Sequence, residues 1–202
     1  MICLTRKEEI LYAALELASE YGLKAVTMQQ IAEKVGIKKP SLYNHFSSKE
    51  ELINSMYSFI RERGAGDSAD MPDIDLLCDT DTEEILLESF RSYYAFVTQK
   101  DMLKFFRVLY SERSTSPAAA RIMTEESERM IKYVRSLFYA LAVHGKIKNE
   151  DIDTAAFSYA MTIHAIVDRQ MDMLTAGMDG DVFAEAGRYI SWFCRKMRCD
   201  NE

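Results

Sequence analysis

Residues 27–52 read TMQQIAEKVGIKKPSLYNHFSSKEEL, and they decide the fold. Thr27 followed by Gln30 is a capping box, in which each residue satisfies a backbone donor of the other at a helix start. Ile31, Ala32 and Val35 then recur at helical spacing, and Gly36 stops the helix. Lys39-Pro40 opens a second short helix, because proline fits a first turn whose missing N–H would be unpaired anyway. Ser48 and Glu51 cap a further helix carrying Leu52, Ile53, Met56, Phe59 and Ile60. Ala32 is small where a second helix must cross closely. Ile31, Val35, Ile37, Leu42 and Phe46 form the apolar seam between the two. Two short helices joined across a glycine in this way predict a helix-turn-helix.

The side chains opposite the seam differ sharply from it: Lys38, Lys39, Ser41, Tyr43, Asn44 and His45. All can bond phosphates or base edges. A helix of this size enters the major groove of duplex DNA. Lysines at its entry displace counterions from phosphates, and hydroxyls and helix N-termini hold register on the backbone. Each residue alone has a plainer reading. Tyr43 can be a core ring, His45 can pack beside Phe46, and a lysine pair is usually a solvated face. Their shared outward placement on one short helix favours DNA.

The net charge of −7 is an average over two unlike parts. Residues 1–63 carry 9 basic and 8 acidic side chains, and residues 64–202 carry 16 and 24. Overall charge is a weak guide to a local patch, and the excess acid lies entirely in the second part.

Working outward, Thr5 and Glu8 form another capping box, opening a helix to Tyr21 that Gly22 closes. The stretch GAGDSADMPDIDLLCDTDTEE, residues 64–84, holds 8 acidic residues and no basic one. It reads as a solvated connector; an acidic hinge that repels phosphate is the sharper alternative. Helical patterns follow over about 82–99, 101–112, 116–143, 151–176 and 181–198. Strand-like alternation is absent, and scarce proline (3) and modest glycine (8) favour long helices. The expected fold is therefore all-α. It comprises an N-terminal three-helix helix-turn-helix DNA-binding domain, residues 1–62, and a helical bundle, residues 63–202.

Other classes find no support. The cysteines Cys3, Cys78, Cys194 and Cys199 match no zinc spacing or CxxC motif, so free thiols in a reducing compartment are expected. His45, His144 and His164 have no metal spacing. No phosphate loop, nucleophile elbow or HExxH occurs, so neither metal, cofactor nor enzymatic activity is expected. No signal segment or apolar run of about 18 residues suggests secretion or a membrane span, and a cytoplasmic location is expected.

The segment resembles the DNA-binding domain of the TetR/AcrR regulator family. The family's opening threonine, Ile-Ala pair, glycine turn, Leu-Tyr-x-His-Phe run and Ser-Lys-Glu-x-Leu close correspond here to Thr27, Ile31-Ala32, Gly36, Leu42 to Phe46 and Ser48 to Leu52. The match covers about residues 5–60. It implies a ligand-responsive regulator, a repressor, that binds a palindromic operator in double-stranded DNA as a homodimer. It also implies that Thr27, Tyr43 and Lys49 hold phosphates, that His45 touches the backbone, and that Lys38, Lys39 and Ser41 face the groove with Gln29 at its edge; Asn44 stands among them. The usual small residue at the recognition-helix start is Lys38 here, and the one two further on is Pro40.

Resemblance extends more loosely to the second part, and implies that residues 63–202 are a ligand-binding and dimerisation domain. Residues 151–176 are apolar on two sides, one through Ala156, Ala160, Ile163, Val167, Met171 and Leu174 and the other through Phe157, Met161, His164 and Asp168. A helix wet on one side needs only the first. In the family this helix and the last one form a four-helix dimer interface. Aromatics and methionines elsewhere are ordinary core residues by default; in the family they line an effector cavity, which would place Tyr94, Phe106, Tyr110, Phe138 and Met161 around a small molecule. His164 and Asp168 would anchor that ligand, pair with each other, or lie at the dimer interface.

Overall fold

The structure, a computed structural model, describes residues 4–65 and 79–198. Among these the chain is all-α, with helices α1 (Arg6–Tyr21), α2 (Met28–Lys34), α3 (Lys39–Tyr43), α4 (Lys49–Ala65), α5 (Thr82–Val97), α6 (Lys100–Glu112), α7 (Pro117–Val143), α8 (Ile152–Thr175) and α9 (Val182–Met197). No strand occurs among the described residues. Most of the expected acidic connector (residues 66–78), and Cys3, Cys78 and Cys199, lie outside them. The helix α4 continues to Ala65, past the point where the glycines at 64 and 66 suggested a loop.

Local chemistry accounts for the boundaries. Thr5 and Thr27 are N-caps with complete capping boxes to Glu8 and Gln30. Asp181 caps α9 through Ala184 N–H at 3.0 Å. Pro117 starts α7, as a residue without an N–H can.

The chain forms two compact units. The first comprises the described part of Met1–Gly66 together with Phe96–Glu125, and the division falls within α5 and within α7. Its core joins Ile10, Leu15, Ile31, Leu42, Phe46, Leu52 and Met56 to Met102, Phe105 and Leu109 of α6 and Ile122 of α7. The Tyr57 ring stacks on Phe105 with centroids 5.8 Å apart. Burying a large apolar side chain contributes about 1.5–3 kcal/mol, so Met102, Phe105 and Leu109 of α6 contribute substantially to this unit.

The second unit contains the other described residues, from α5 through Ala95 and from Glu126 onward. Its core includes Leu86, Phe90, Leu137, Phe138, Leu141, Ala156, Tyr159, Ile163, Ile190 and Phe193. Phe138, Tyr159, Tyr189 and Phe193 form one aromatic cluster, with Tyr159 and Phe193 edge to face at 5.0 Å. Only one of the two apolar sides expected on α8 is buried in the single chain. On the first side Ala156, Ala160, Ile163 and Val167 are inside and only its end, Leu174 (52 % exposed), emerges, whereas Phe157 (54 %) and Met161 (37 %) of the second side are exposed.

Candidate nucleic-acid interface

The turn between α2 and α3 is built on Gly36. Its φ of +69° is a left-handed conformation that a Cβ would strain, although no atom stands within 4 Å of where that Cβ would lie. Backbone, not space, therefore requires the glycine. Ile37 N–H donates to Ala32 C=O at 2.9 Å and Gly36 N–H to Glu33 C=O at 3.1 Å, closing the end of α2. Ala32 is wholly buried, as the close crossing demands.

The helix α3 is only five residues long. Leu42 and Phe46 are fully buried and anchor it. Every other side chain singled out there, namely Lys38, Lys39, Ser41, Tyr43, Asn44 and His45, is exposed. Lys38 is the N-cap and provides no side-chain capping bond, so the departure from a small capping residue leaves its ammonium outward. Lys39 Nζ lies 6.0 Å from the Tyr43 ring centroid. The result is a polar surface bearing two cations and no carboxylate.

Thr27 and Gln29 flank it on α2, and both are exposed. The Thr27 hydroxyl accepts from Gln30 N–H at 3.2 Å, and Gln29 Nε2 donates to Glu33 at 2.6 Å.

Lys49 differs from the sequence expectation. Its ammonium donates to the carbonyl oxygens of Leu23 at 2.5 Å and Val26 at 2.6 Å, so it turns inward onto the α1–α2 turn instead of outward to a phosphate. Burial pulls its pKa below the usual lysine value, with the Glu112 carboxylate opposing weakly. The phosphate role is implied by the family resemblance; the structure adds that the Leu23 and Val26 carbonyls take up this ammonium. Next to it, Ser47 N–H and Oγ both donate to Glu51, and these bonds lower the Glu51 pKa.

One residue escaped the sequence reading. Lys7 of α1 is exposed and its Nζ lies 5.2 Å from the Phe46 ring centroid, which brings a cation to the end of α3. No spacing rule links residue 7 to residue 46; only the packing of α1 does.

The residues expected around an effector are shared between the two units. Phe106 and Tyr110 belong to the first unit, and Tyr94, Phe138, Met161, His164 and Asp168 to the second. Within the second unit Tyr94 lies against Phe90 and Phe183, while Phe138 is in the aromatic cluster. His164 and Asp168 pair with each other, Nε2 to carboxylate at 3.6 Å, and the other ring nitrogen of His164 is 2.9 Å from the Tyr93 hydroxyl. The Tyr159 hydroxyl, buried within the cluster, has no hydrogen-bond partner among the described residues.

Comparison with known proteins places these features in context. The family model described as bacterial regulatory proteins, tetR family, matches residues 10–56. The one described as AefR-like transcriptional repressor, C-terminal domain, matches residues 84–185, just over half of the 202-residue chain. The chain is 38% identical over 74 residues to the HTH-type transcriptional repressor KstR2 of Mycobacterium tuberculosis (strain CDC 1551 / Oshkosh), a match covering 34% of this chain and 37% of that protein. It is 33% identical over 51 residues to the tetracycline repressor protein class C of Escherichia coli, covering 25% of this chain and 23% of that one. These matches thus span well under half the length of the curated relatives. Among solved structures, the flavonoid-responsive regulator FrrA superposes with a TM-score of 0.75 at 21% identity over 95% of this chain and 96% of its own. Salmonella enterica GusR gives 0.71 at 19% over 95% and 98%. At such identities the likeness is one of fold.

Proposed function

Because the chain belongs to the tetR family of bacterial regulatory proteins, we propose that it is a ligand-responsive, DNA-binding transcription regulator acting as a repressor in the cytoplasm. The observation that carries this reading is the division of α3: Leu42 and Phe46 inside, Lys38, Lys39, Ser41, Tyr43, Asn44 and His45 outside. A helix end that is anchored by two apolar residues and otherwise polar and cationic suits the major groove.

In this reading residues 1–62 meet DNA and residues 63–202 bind the effector and the second subunit. Lys38, Lys39 and Ser41 read the groove, with Gln29 at its edge. Thr27, Tyr43, Asn44, His45 and Lys7 hold the backbone. Lys49 positions the α1–α2 turn, and with it Thr27, through its carbonyl contacts.

Dimerisation through α8 and α9 is supported by the apolar side chains those helices leave exposed, Phe157, Met161 and Trp192. A twofold dimer suits operator half-sites about 34–36 Å apart. The effector is a small, largely apolar molecule with a hydrogen-bonding group. Its support is the unpartnered Tyr159 hydroxyl within an aromatic cluster, since an orphaned buried hydroxyl costs about 1–3 kcal/mol unless something bonds it.

The test is selection of binding sites from random duplex DNA by the wild-type chain. The expected product is a palindrome whose bound complex is lost on Tyr43→Ala. Recovery of no enriched sequence would refute the reading.

A further inference from the structure

The first unit carries a feature that the DNA-binding reading does not use. A groove of about 580 Å³ runs between the end of α1 and one face of α6. Lys100, Lys104 and Arg107 line it, and their spacing puts all three on one side of that helix. No acidic residue is among those that line it; the Glu112 carboxylate stands next to Gly22 at its end and accepts from Lys24 N–H.

Some of the chain's cations are held in ion pairs. Lys34 meets Glu16, Arg121 meets Glu50, Arg135 meets Asp153 and Arg169 meets Glu185. The chain has 32 acidic residues for 25 basic ones. Among the described residues Lys100, Lys104 and Arg107, like Lys38 and Lys39, have no ion pair, and what sets them apart is that all three line one groove. Like charges one turn apart repel, and an anion between them would relieve that repulsion.

The floor is apolar, formed by Ala18, Leu103 and Val108. Two hydroxyls stand at its edge. Ser19 Oγ already donates to Glu16 C=O at 2.7 Å and Ser111 Oγ to Val108 C=O at 2.8 Å. Their protons are committed, so toward a ligand both oxygens act as acceptors. The volume lies within the range of small-molecule sites, about 300–1,000 Å³.

We propose that this groove binds a small amphipathic anion, a carboxylate or phosphate monoester on a short apolar body. The charged end sits on Lys104 and Arg107, with Lys100 beside them. The apolar body covers Ala18, Leu103 and Val108. The site belongs wholly to the first unit and is separate from the aromatic cluster of the second.

Amide NMR of the full chain, titrated with octanoate and with phenyl phosphate, tests it without reference to DNA. Saturable shifts at Ala18, Ser19 and Ser111 are expected with at least one of the two, and none with octylammonium. Lys104→Glu/Arg107→Glu should weaken binding by about tenfold or more, as loss of charge-assisted bonds does. If that variant fails to fold, Lys104→Gln/Arg107→Gln should give the same direction. Absence of shifts with both probes, equal affinity for inorganic phosphate, or undiminished affinity in the folded variant would overturn the proposal.

Discussion

The Lys49 ammonium donates to the carbonyl oxygen of Val26 at 2.6 Å, tying the start of α4 to the residue that precedes the N-cap of α2. Charge-assisted hydrogen bonds contribute about 1.5–3 kcal/mol each, and their loss leaves carbonyls less well satisfied. Lys49→Ala should therefore lower the unfolding free energy by about 2 kcal/mol in urea titration. Lys39→Ala, at an exposed position, should change it by less than about 0.5 kcal/mol. Equal stability of the two variants would return Lys49 to a purely surface role.

The Tyr159 hydroxyl gives an opposite expectation. Tyr159→Phe removes a buried oxygen with no partner among the described residues, so thermal unfolding should show a gain of about 1 kcal/mol. The same change should blunt release from DNA by the effector. A loss of stability would mean that the hydroxyl is satisfied in the native protein.

Cys194 predicts an alkaline limit. Burial, aided by the Glu83 and Asp81 carboxylates, pushes its thiol from an ordinary value near 9 up to about 12. Between those values the folded chain holds a proton that the unfolded chain has released. Stability is thus full below about pH 9 and falls as pH rises through the window, by up to about 1.4 kcal/mol per pH unit. Tyr159, also raised by burial, acts in the same direction at higher pH. Chemical denaturation from pH 8 to 11 should give a shallower decline for Cys194→Ala than for the wild type.

Phe157 and Met161 are exposed apolar residues of α8 beside its buried stripe. Phe157→Asp/Met161→Asp should yield monomers in sedimentation while circular dichroism stays helical. Because linked binding modules gain about 10²–10⁴ in affinity, operator binding should weaken by at least about a hundredfold. A stable dimer of the double variant would place the interface elsewhere.

Much of this was legible in the residues. Capping boxes at Thr5 and Thr27, the glycine turn and Pro117 mark helix boundaries through local hydrogen bonding, which sequence records directly. The outward set on α3 follows from periodicity once Leu42 and Phe46 are taken as anchors. Contacts made through packing were not legible. Lys7 reaches the end of α3 only because α1 lies against Phe46. Lys49 turns inward because the α1–α2 turn offers it carbonyls, a fact that spacing cannot carry. The α6 residues Met102, Phe105 and Leu109 read as helix core, but nothing in their pattern says that they complete the core around α1 and α4. Likewise, two apolar sides on α8 signal burial without telling which side the chain itself covers.

The exposed cations of α3 should engage DNA phosphates or bases. The most direct measurement is the salt dependence of affinity for a duplex selected by the wild type. Each phosphate neutralised contributes about 0.9 to the slope of log K against log salt. A steep wild-type dependence is expected, with weaker binding by Lys38→Ala/Lys39→Ala and a slope shallower by up to about 2. Wild-type binding indifferent to salt, or a double variant with unchanged affinity and slope, would contradict that role.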